Sequence, residues 1–292
     1  MKLKTKTLTL LTVAFGMMSC SSDELKVTQD PKPTEVTLTF SPYEIEPLTR
    51  AATSIGDNNL GLKHLDVWFY ESGSEVAAIH QTKDSDSDNF GNISVTLDKT
   101  KTYTIYAVAH KADGAELSDG IITFTDDKVT HSMYYTQTFT PATTTNLSCV
   151  MQRIVAMFKL VTTDAVPGDC KKIQFTVNGI YNRWNVLTSS GTNLIDRTSS
   201  VTISSTAADG TVTCSVFAIV TTSQTPHTIT VTALDINGDP LDSQAPRVFE
   251  NVPLRNGYVT TYRGQFFVDT PTSSTFTVND WNTDEEGYTI EF

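Results

Sequence analysis

Residues 35–40 read Glu35-Val36-Thr37-Leu38-Thr39-Phe40. Val36, Leu38 and Phe40 fall on one face and the polar residues on the other, which is the period-two repeat of a strand with one buried side. Once begun, the alternation hardly stops. Leu62 to Tyr70, Ile93 to Leu97, Tyr103 to Ala109, Ile121 to Phe124, Leu147 to Val161, Lys172 to Val177, Val201 to Ser205, Val212 to Ile219, Ile229 to Leu234, Val259 to Phe267 and Tyr288 to Phe292 carry it along the chain. Turn pairs such as Ser72-Gly73, Asp113-Gly114, Asp209-Gly210 and Asn237-Gly238 separate these runs. Threonine and valine abound, as suits a pleated, half-buried surface. No segment offers capped apolar residues at i, i+3 and i+4. Short strands at intervals of about 8 to 12 residues point to an all-β chain, and there are too many for one seven-stranded sandwich. The spacing predicts two tandem β-sandwich domains, 35–150 and 151–292. The join falls just after the polar stretch Pro141-Ala142-Thr143-Thr144-Thr145.

Outward from that first strand, residues 25–34 are polar, with Pro31 and Pro33, and read as an extended tether. Further upstream lie a basic start (Lys2, Lys4, Lys6), an apolar run from Leu8 to Phe15 too short to span a bilayer, and Gly16-Met17-Met18-Ser19-Cys20. This resembles a bacterial lipobox. It predicts a signal peptide over 1–19, cleavage after the small Ser19, and a mature chain whose lipidated tether, 20–34, starts at acylated Cys20. The alternative is a plain signal peptide cut nearby, which would leave no lipid.

Of 292 residues, 39% are hydrophobic, enough for packed cores, and the formal net charge is -12. Loss of the three leader lysines takes the charge to -15, since no acid leaves with them. A surface this acidic repels nucleic acid, and no basic run opposes that. Beyond Cys20 three cysteines remain, Cys149, Cys170 and Cys214. An odd set cannot pair completely, its spacing suits no zinc knuckle, and isolated cysteines among apolar neighbours act as small hydrophobes, with a Cys149–Cys170 bridge as the alternative.

Nothing in the chain reads as catalytic. His64, His80, His110, His131 and His227 sit in different strands or loops without ligand spacing, and no nucleophile elbow, zinc-protease or phosphate-loop motif occurs. The acidic run Asp84-Ser85-Asp86-Ser87-Asp88-Asn89 resembles the start of a calcium loop. It has Asn89 where glycine is required and Val95 where a bidentate glutamate is required, so it reads as a charged hairpin loop. Trp68, Trp184 and Trp281 stand in alternating contexts and read as core or rim. These observations imply no enzyme, cofactor or metal.

A set of short motifs in a fixed order resembles the fimbrillin superfamily of Bacteroidetes, and within it the FimB/Mfa2 type of fimbrial anchor or minor subunit. They are Cys20, the strand Val36 to Phe40, Leu48-Thr49-Arg50-Ala51, Leu65-Asp66-Val67-Trp68-Phe69-Tyr70, the crossing from Cys149 to Phe158, Asn251-Val252-Pro253-Leu254-Arg255-Asn256, and Val278-Asn279-Asp280-Trp281. The polar Ser21-Ser22-Asp23-Glu24 after Cys20 likewise resembles the export signal of surface lipoproteins in those bacteria. The resemblance implies transthyretin-like sandwiches, a surface-exposed lipoprotein of the outer membrane, and other fimbrial subunits as partners. It also implies a processing site at Arg50-Ala51, cut in pilins by a trypsin-like protease, after which the first strand leaves and a neighbour's strand takes its place. The exchanged strands would then carry Val36, Leu38 and Phe40 at one end of the chain, and Tyr288, Ile290 and Phe292 at the other. The rival class is a tethered glycan-binding lipoprotein, with a host surface or glycan as partner.

Overall fold

The computed structural model describes residues 32–42, 54–56, 61–112, 114–204, 210–268, 274–280 and 289–291. Lys32–Phe292 forms one compact unit, and its described residues are strands and connecting loops with a turn of 3-10 helix at Thr125–Asp127.

The first seven-stranded sheet contains β1 (Pro33–Pro42), β2 (His64–Glu71), β3 (Ser74–Thr82), β4 (Asn92–Asp98), β5 (Tyr103–His110), β8 (Ser132–Phe139) and β9 (Asn146–Arg153). Their order across it is β3-β2-β5-β8-β9-β1-β4. β8 and β9 meet only through Met133 with Arg153 and Tyr134 with Gln152. At that narrow seam the sheet folds over, and the inward residues of both halves share one core. Val36, Leu38 and Phe40 from β1, Ile93 and Leu97 from β4, and Leu147, Cys149 and Met151 from β9 pack into the same cluster as Leu65, Val67 and Phe69 from β2 and Ile105 from β5. The alternation read at Val36, Leu38 and Phe40 is therefore real: all three are fully buried.

The second half builds a five-stranded sheet from β10 (Ala156–Thr162), β13 (Thr213–Ala218), β16 (Tyr258–Gly264), β17 (Ser274–Asp280) and β18 (Thr289–Glu291), in the order β13-β10-β16-β17-β18. Facing it are β11 (Lys172–Asn185), β12 (Ser190–Thr202), β14 (Thr225–Leu234) and β15 (Arg247–Leu254). β11 pairs along its length with β12 and, over Lys172–Val177, with β14 on its other side. Phe158, Phe175, Ile229 and Val231 lie in the core between the layers.

Two strands cross the expected join near residue 150. The hairpin of β6 (Ala115–Ser118) and β7 (Ile121–Phe124) leaves the first half and pairs through β7 with Arg183–Asn185 of β11. A third core forms around this crossing, with Trp68, Val108 and Tyr134 on one side, Trp184, Val186 and Ile219 on the other, and Ile122, Phe124, Ile154 and Val155 between. The run Leu147 to Val161 is accordingly two strands. Ile154 and Val155 are buried where the chain passes from β9 to β10.

The acidic loop Asp84–Asp88 proves not to be a hairpin. β3 and β4 lie at opposite ends of their sheet, so the loop carries the chain from one layer to the other. Its register is held by Thr82 N donating to Asp86 Oδ2 at 2.9 Å and by Gln81, whose amide donates to Asn92 O at 2.9 Å and accepts from Gly91 N at 3.0 Å. Trp68 and Trp184 are buried, as their contexts suggest, while Trp281 lies outside the described residues.

Candidate functional site

The sequence-predicted exchange strand, β1, occupies the middle of its layer. It runs antiparallel to β4 over Pro33–Thr39 and parallel to β9 over Thr37–Pro42. The two neighbours flank it together over Thr37–Thr39, and Thr37 N also donates to Thr145 O at 2.8 Å and Phe40 N to Gly91 O at 2.8 Å. The alternate side chains Val36, Leu38 and Phe40 close the core. Each contributes about 1.5–3 kcal/mol by its removal from water.

Phe40 lies opposite Cys149 in register and edge-to-face on Tyr135, with ring centroids 6.1 Å apart. Burial, tempered by a hydrogen bond from Tyr135, pushes the Cys149 thiol up to about 12. Burial also raises the Tyr135 phenol, and the neighbouring Cys149 adds to the effect. The pair is thus chemically silent while β1 is in place.

Residues 54–56 close over the end of β1. Ile55, fully buried, donates from its backbone N to Phe40 O at 3.3 Å. Gly91, at φ +91°, passes so close to Ile55 that a Cβ on it would lie 2.8 Å from the Ile55 side chain. Only glycine satisfies both the left-handed backbone and that approach. In the sequence, Arg50 and Ala51 lie between the end of β1 and Ile55. Both residues lie outside the described residues, as does Cys20.

At the other end of the chain, β18 is the edge strand of the five-stranded sheet and, among the described residues, pairs with β17, Ile290 opposite Phe276. Tyr288 and Phe292 lie outside the described residues.

Three of the histidines, on different strands as read from the sequence, are brought together by strand pairing. Cross-strand register sets His64 opposite His110 and Asp66 opposite His80. Asp66, buried, bonds His110 Nε2 through Oδ2 at 2.8 Å and His80 Nδ1 through Oδ1. The His64 ring stacks on both of the others at centroid separations of 5.3 and 5.8 Å. This arrangement ties β2, β3 and β5 together. Among the described residues no group of three or more His, Cys, Asp or Glu side chains is arranged to hold a metal ion. Cys149, Cys170 and Cys214 are all free thiols and buried.

Comparison of the sequence with protein-family models and with curated proteins gives no match. Comparison with solved structures does. A candidate polysaccharide-binding protein of Bacteroides thetaiotaomicron, 10% identical, aligns over 88% of this chain and 98% of its own with a TM-score of 0.52. A candidate adhesin of the same species, 11% identical, aligns over 88% and 97% with a TM-score of 0.51. The chain has their fold. The fimbrial anchor protein Mfa2 of Porphyromonas gingivalis, 12% identical, also aligns, over 86% of this chain and 98% of its own, with a TM-score of 0.49. The two Bacteroides thetaiotaomicron proteins come from the group of bacteria to which the motif order pointed.

Proposed function

We propose that the chain is a lipid-anchored anchor or minor subunit of a cell-surface fimbria, which joins its neighbours by β-strand donation. The observation that carries this reading is the position of β1. A ten-residue strand, covalently continuous with the rest of the fold only through residues 43–53, fills the middle of a layer and seals its core. Such a strand is a separable plug. Its removal would open an apolar slot between β4 and β9 with unpaired backbone on both sides, the form of site that an extended segment from another chain fills by β-augmentation. The fold shared with a candidate adhesin supports a surface role.

The anchor keeps residues 20–50. Acylated Cys20 then holds it on the outer membrane, each buried methylene contributing about 0.8 kcal/mol, and its own β1 keeps the slot closed. Growth proceeds from the other terminus, where the alternating Tyr288, Ile290 and Phe292 enter the slot of a neighbouring fimbrial subunit. A pilin, by contrast, would be cut at Arg50-Ala51 and lose both lipid and β1. The two sandwiches, 35–150 and 151–292, act as one lever because the β6–β7 hairpin of the first is built into a sheet of the second.

The test is mass spectrometry of the N-terminus of the protein taken from native cell surfaces. Acylated Cys20 as the only start is expected. A start at Ala51 overturns the anchor role and makes the molecule a processed pilin.

A further inference from the structure

A second feature, which needs neither lipid nor strand exchange, lies on the face of the first sheet turned away from its core. Register sets Tyr70 of β2 directly opposite Glu75 of β3 on one side and Thr104 of β5 on the other, so all three side chains leave the sheet on that face. Tyr106, two residues along β5 from Thr104, joins them, and its ring meets Tyr70 edge-to-face with centroids 5.4 Å apart. Asp119 and Gly120, at the tip of the β6–β7 hairpin, and Leu187, just beyond β11, line one open cavity of about 450 Å³ together with this row.

The polar groups on these walls are not engaged elsewhere. Glu71, the acid next to Tyr70, is paired with Lys101 at 2.8 Å, whereas Glu75 and Asp119, both exposed, have no ion-pair partner among the described residues. The half-buried Tyr70 and Tyr106 likewise make no hydrogen bond through their hydroxyls among the described residues. Burial raises the Tyr70 phenol, and Glu75, Tyr106 and Asp119 add to the effect, so the fields of both carboxylates reach one hydroxyl. Among the described residues no Lys, Arg or His lines the cavity. Two carboxylates without a counter-charge attract a cation. They are too few for a metal ion, since among the described residues no group of three His, Cys, Asp or Glu is placed to hold one. Aromatic and aliphatic walls suit an organic cation instead.

The hairpin side of the cleft is held in place by the fold itself. Val186 N donates to Gly120 O at 2.9 Å, and Asn185 Oδ1 accepts from Leu187 N at 2.9 Å and from Thr188 N at 3.1 Å. Gly120, at φ +74°, packs so closely that a Cβ on it would lie 3.1 Å from the Leu187 side chain. Leu187 is nonetheless 71% exposed. With Leu117 it offers an apolar rim to the methylene stem of a long basic side chain whose charged head meets the carboxylates.

We propose that this cleft takes a basic side chain, arginine or lysine, presented by a partner protein, with the cation paired to Glu75 and Asp119 and set against the Tyr70–Tyr106 pair. The chain, whose own net charge is -12, then carries a docking site for a basic partner.

The test titrates the whole chain with acetyl-Gly-Arg-Gly-amide and acetyl-Gly-Lys-Gly-amide, followed by nuclear magnetic resonance of ring-labelled tyrosine. Saturable shifts of Tyr70 and Tyr106 are expected with at least one of them, and the tighter peptide shows which head group fits. The citrulline peptide, an uncharged isostere of the arginine one, is expected to bind about tenfold more weakly. Glu75→Gln combined with Asp119→Asn should cost about the same factor at an unchanged melting temperature, because asparagine tolerates the left-handed backbone at 119, φ 50°. Asp84→Asn combined with Asp88→Asn removes equal charge from another exposed loop and should leave the affinity as it is. Absence of any saturable shift, equal binding of the citrulline peptide, unchanged affinity in the first variant, or an equal loss in the second, each overturns the assignment. Assembly with other subunits is read separately and is expected to survive both pairs of substitutions, so failure of the cleft and failure of strand donation are distinguishable.

Discussion

β1 and β18 stand near the two ends of the chain and are held very differently. β1 has ten residues and pairs on both sides, with β4 and β9, and its three inward side chains are fully buried. β18 has three residues and, among the described residues, pairs on one side, with β17. Removing the first strand costs two rows of backbone hydrogen bonds and the closure of a core. Removing the second costs one short row at a sheet edge. On the proposed function, a molecule that keeps its N-terminal strand and lends its C-terminal one gives up the cheaper of the two. That asymmetry is what an anchor at the base of a filament needs.

The comparison can be broken most forcefully at Leu38. Leu38→Asp places a carboxylate among Val67, Phe69 and Ile105, where neither water nor a counter-charge awaits it. It is expected to destabilise by about 4 kcal/mol or more. Thermal unfolding followed by near-ultraviolet circular dichroism reads this, and a melting temperature within a few degrees of the native value would contradict the plug description. Phe40→Ala should cost about 3–5 kcal/mol, measured as the shift of the urea midpoint. Gly91→Ala is expected to cost about 1–3 kcal/mol through its left-handed backbone alone, and more if Ile55 cannot yield. Its test is whether Gly91→Ala combined with Ile55→Ala, which removes the Cγ1 that the new methyl meets, costs less than the sum of the two single changes. Smallest in stability is deletion of Gly287–Phe292, which should change the unfolding free energy by under about 1 kcal/mol, since only an edge strand is lost. The same deletion should abolish assembly with partner subunits, read by electron microscopy of surface filaments. Filaments of native number and length would remove the lending role.

Much of this was legible in the residues. β1, β2, β5, β10 and β14 bury one or both faces, so their apolar alternation stands out. β3 and β12 expose most of their length, and β12 reads Ser, Thr and Asn where a buried strand would read Val and Ile. Such strands are set by pairing with β2 and β11 rather than by hydrophobic pattern, and periodicity cannot find them. The β6–β7 hairpin is invisible as a crossing for the same reason: four-residue strands declare their turn but not the sheet they join. The Asp66 cluster depends on register, which brings residues 64, 66, 80 and 110 to one place from three strands. Local spacing carries no trace of that. Trp184, which its context reads as core or rim, is buried, a choice that local spacing does not make.

The most direct test of the account uses Cys149, which lies beneath Phe40, in a Cys20→Ser background. With β1 in place the thiol is buried and pushed up to about 12, so maleimide labelling under native conditions should be negligible and flat from about pH 7 to 9, below the pH at which this thiol ionises. In a chain beginning at Ala51 the account predicts rapid labelling of Cys149 and none of Cys170 or Cys214, which are buried in the second core, with protection restored by a peptide of residues 33–42. Cys149 labelled equally fast in both chains, or equally protected in both, would contradict the claim that β1 is the plug of this fold.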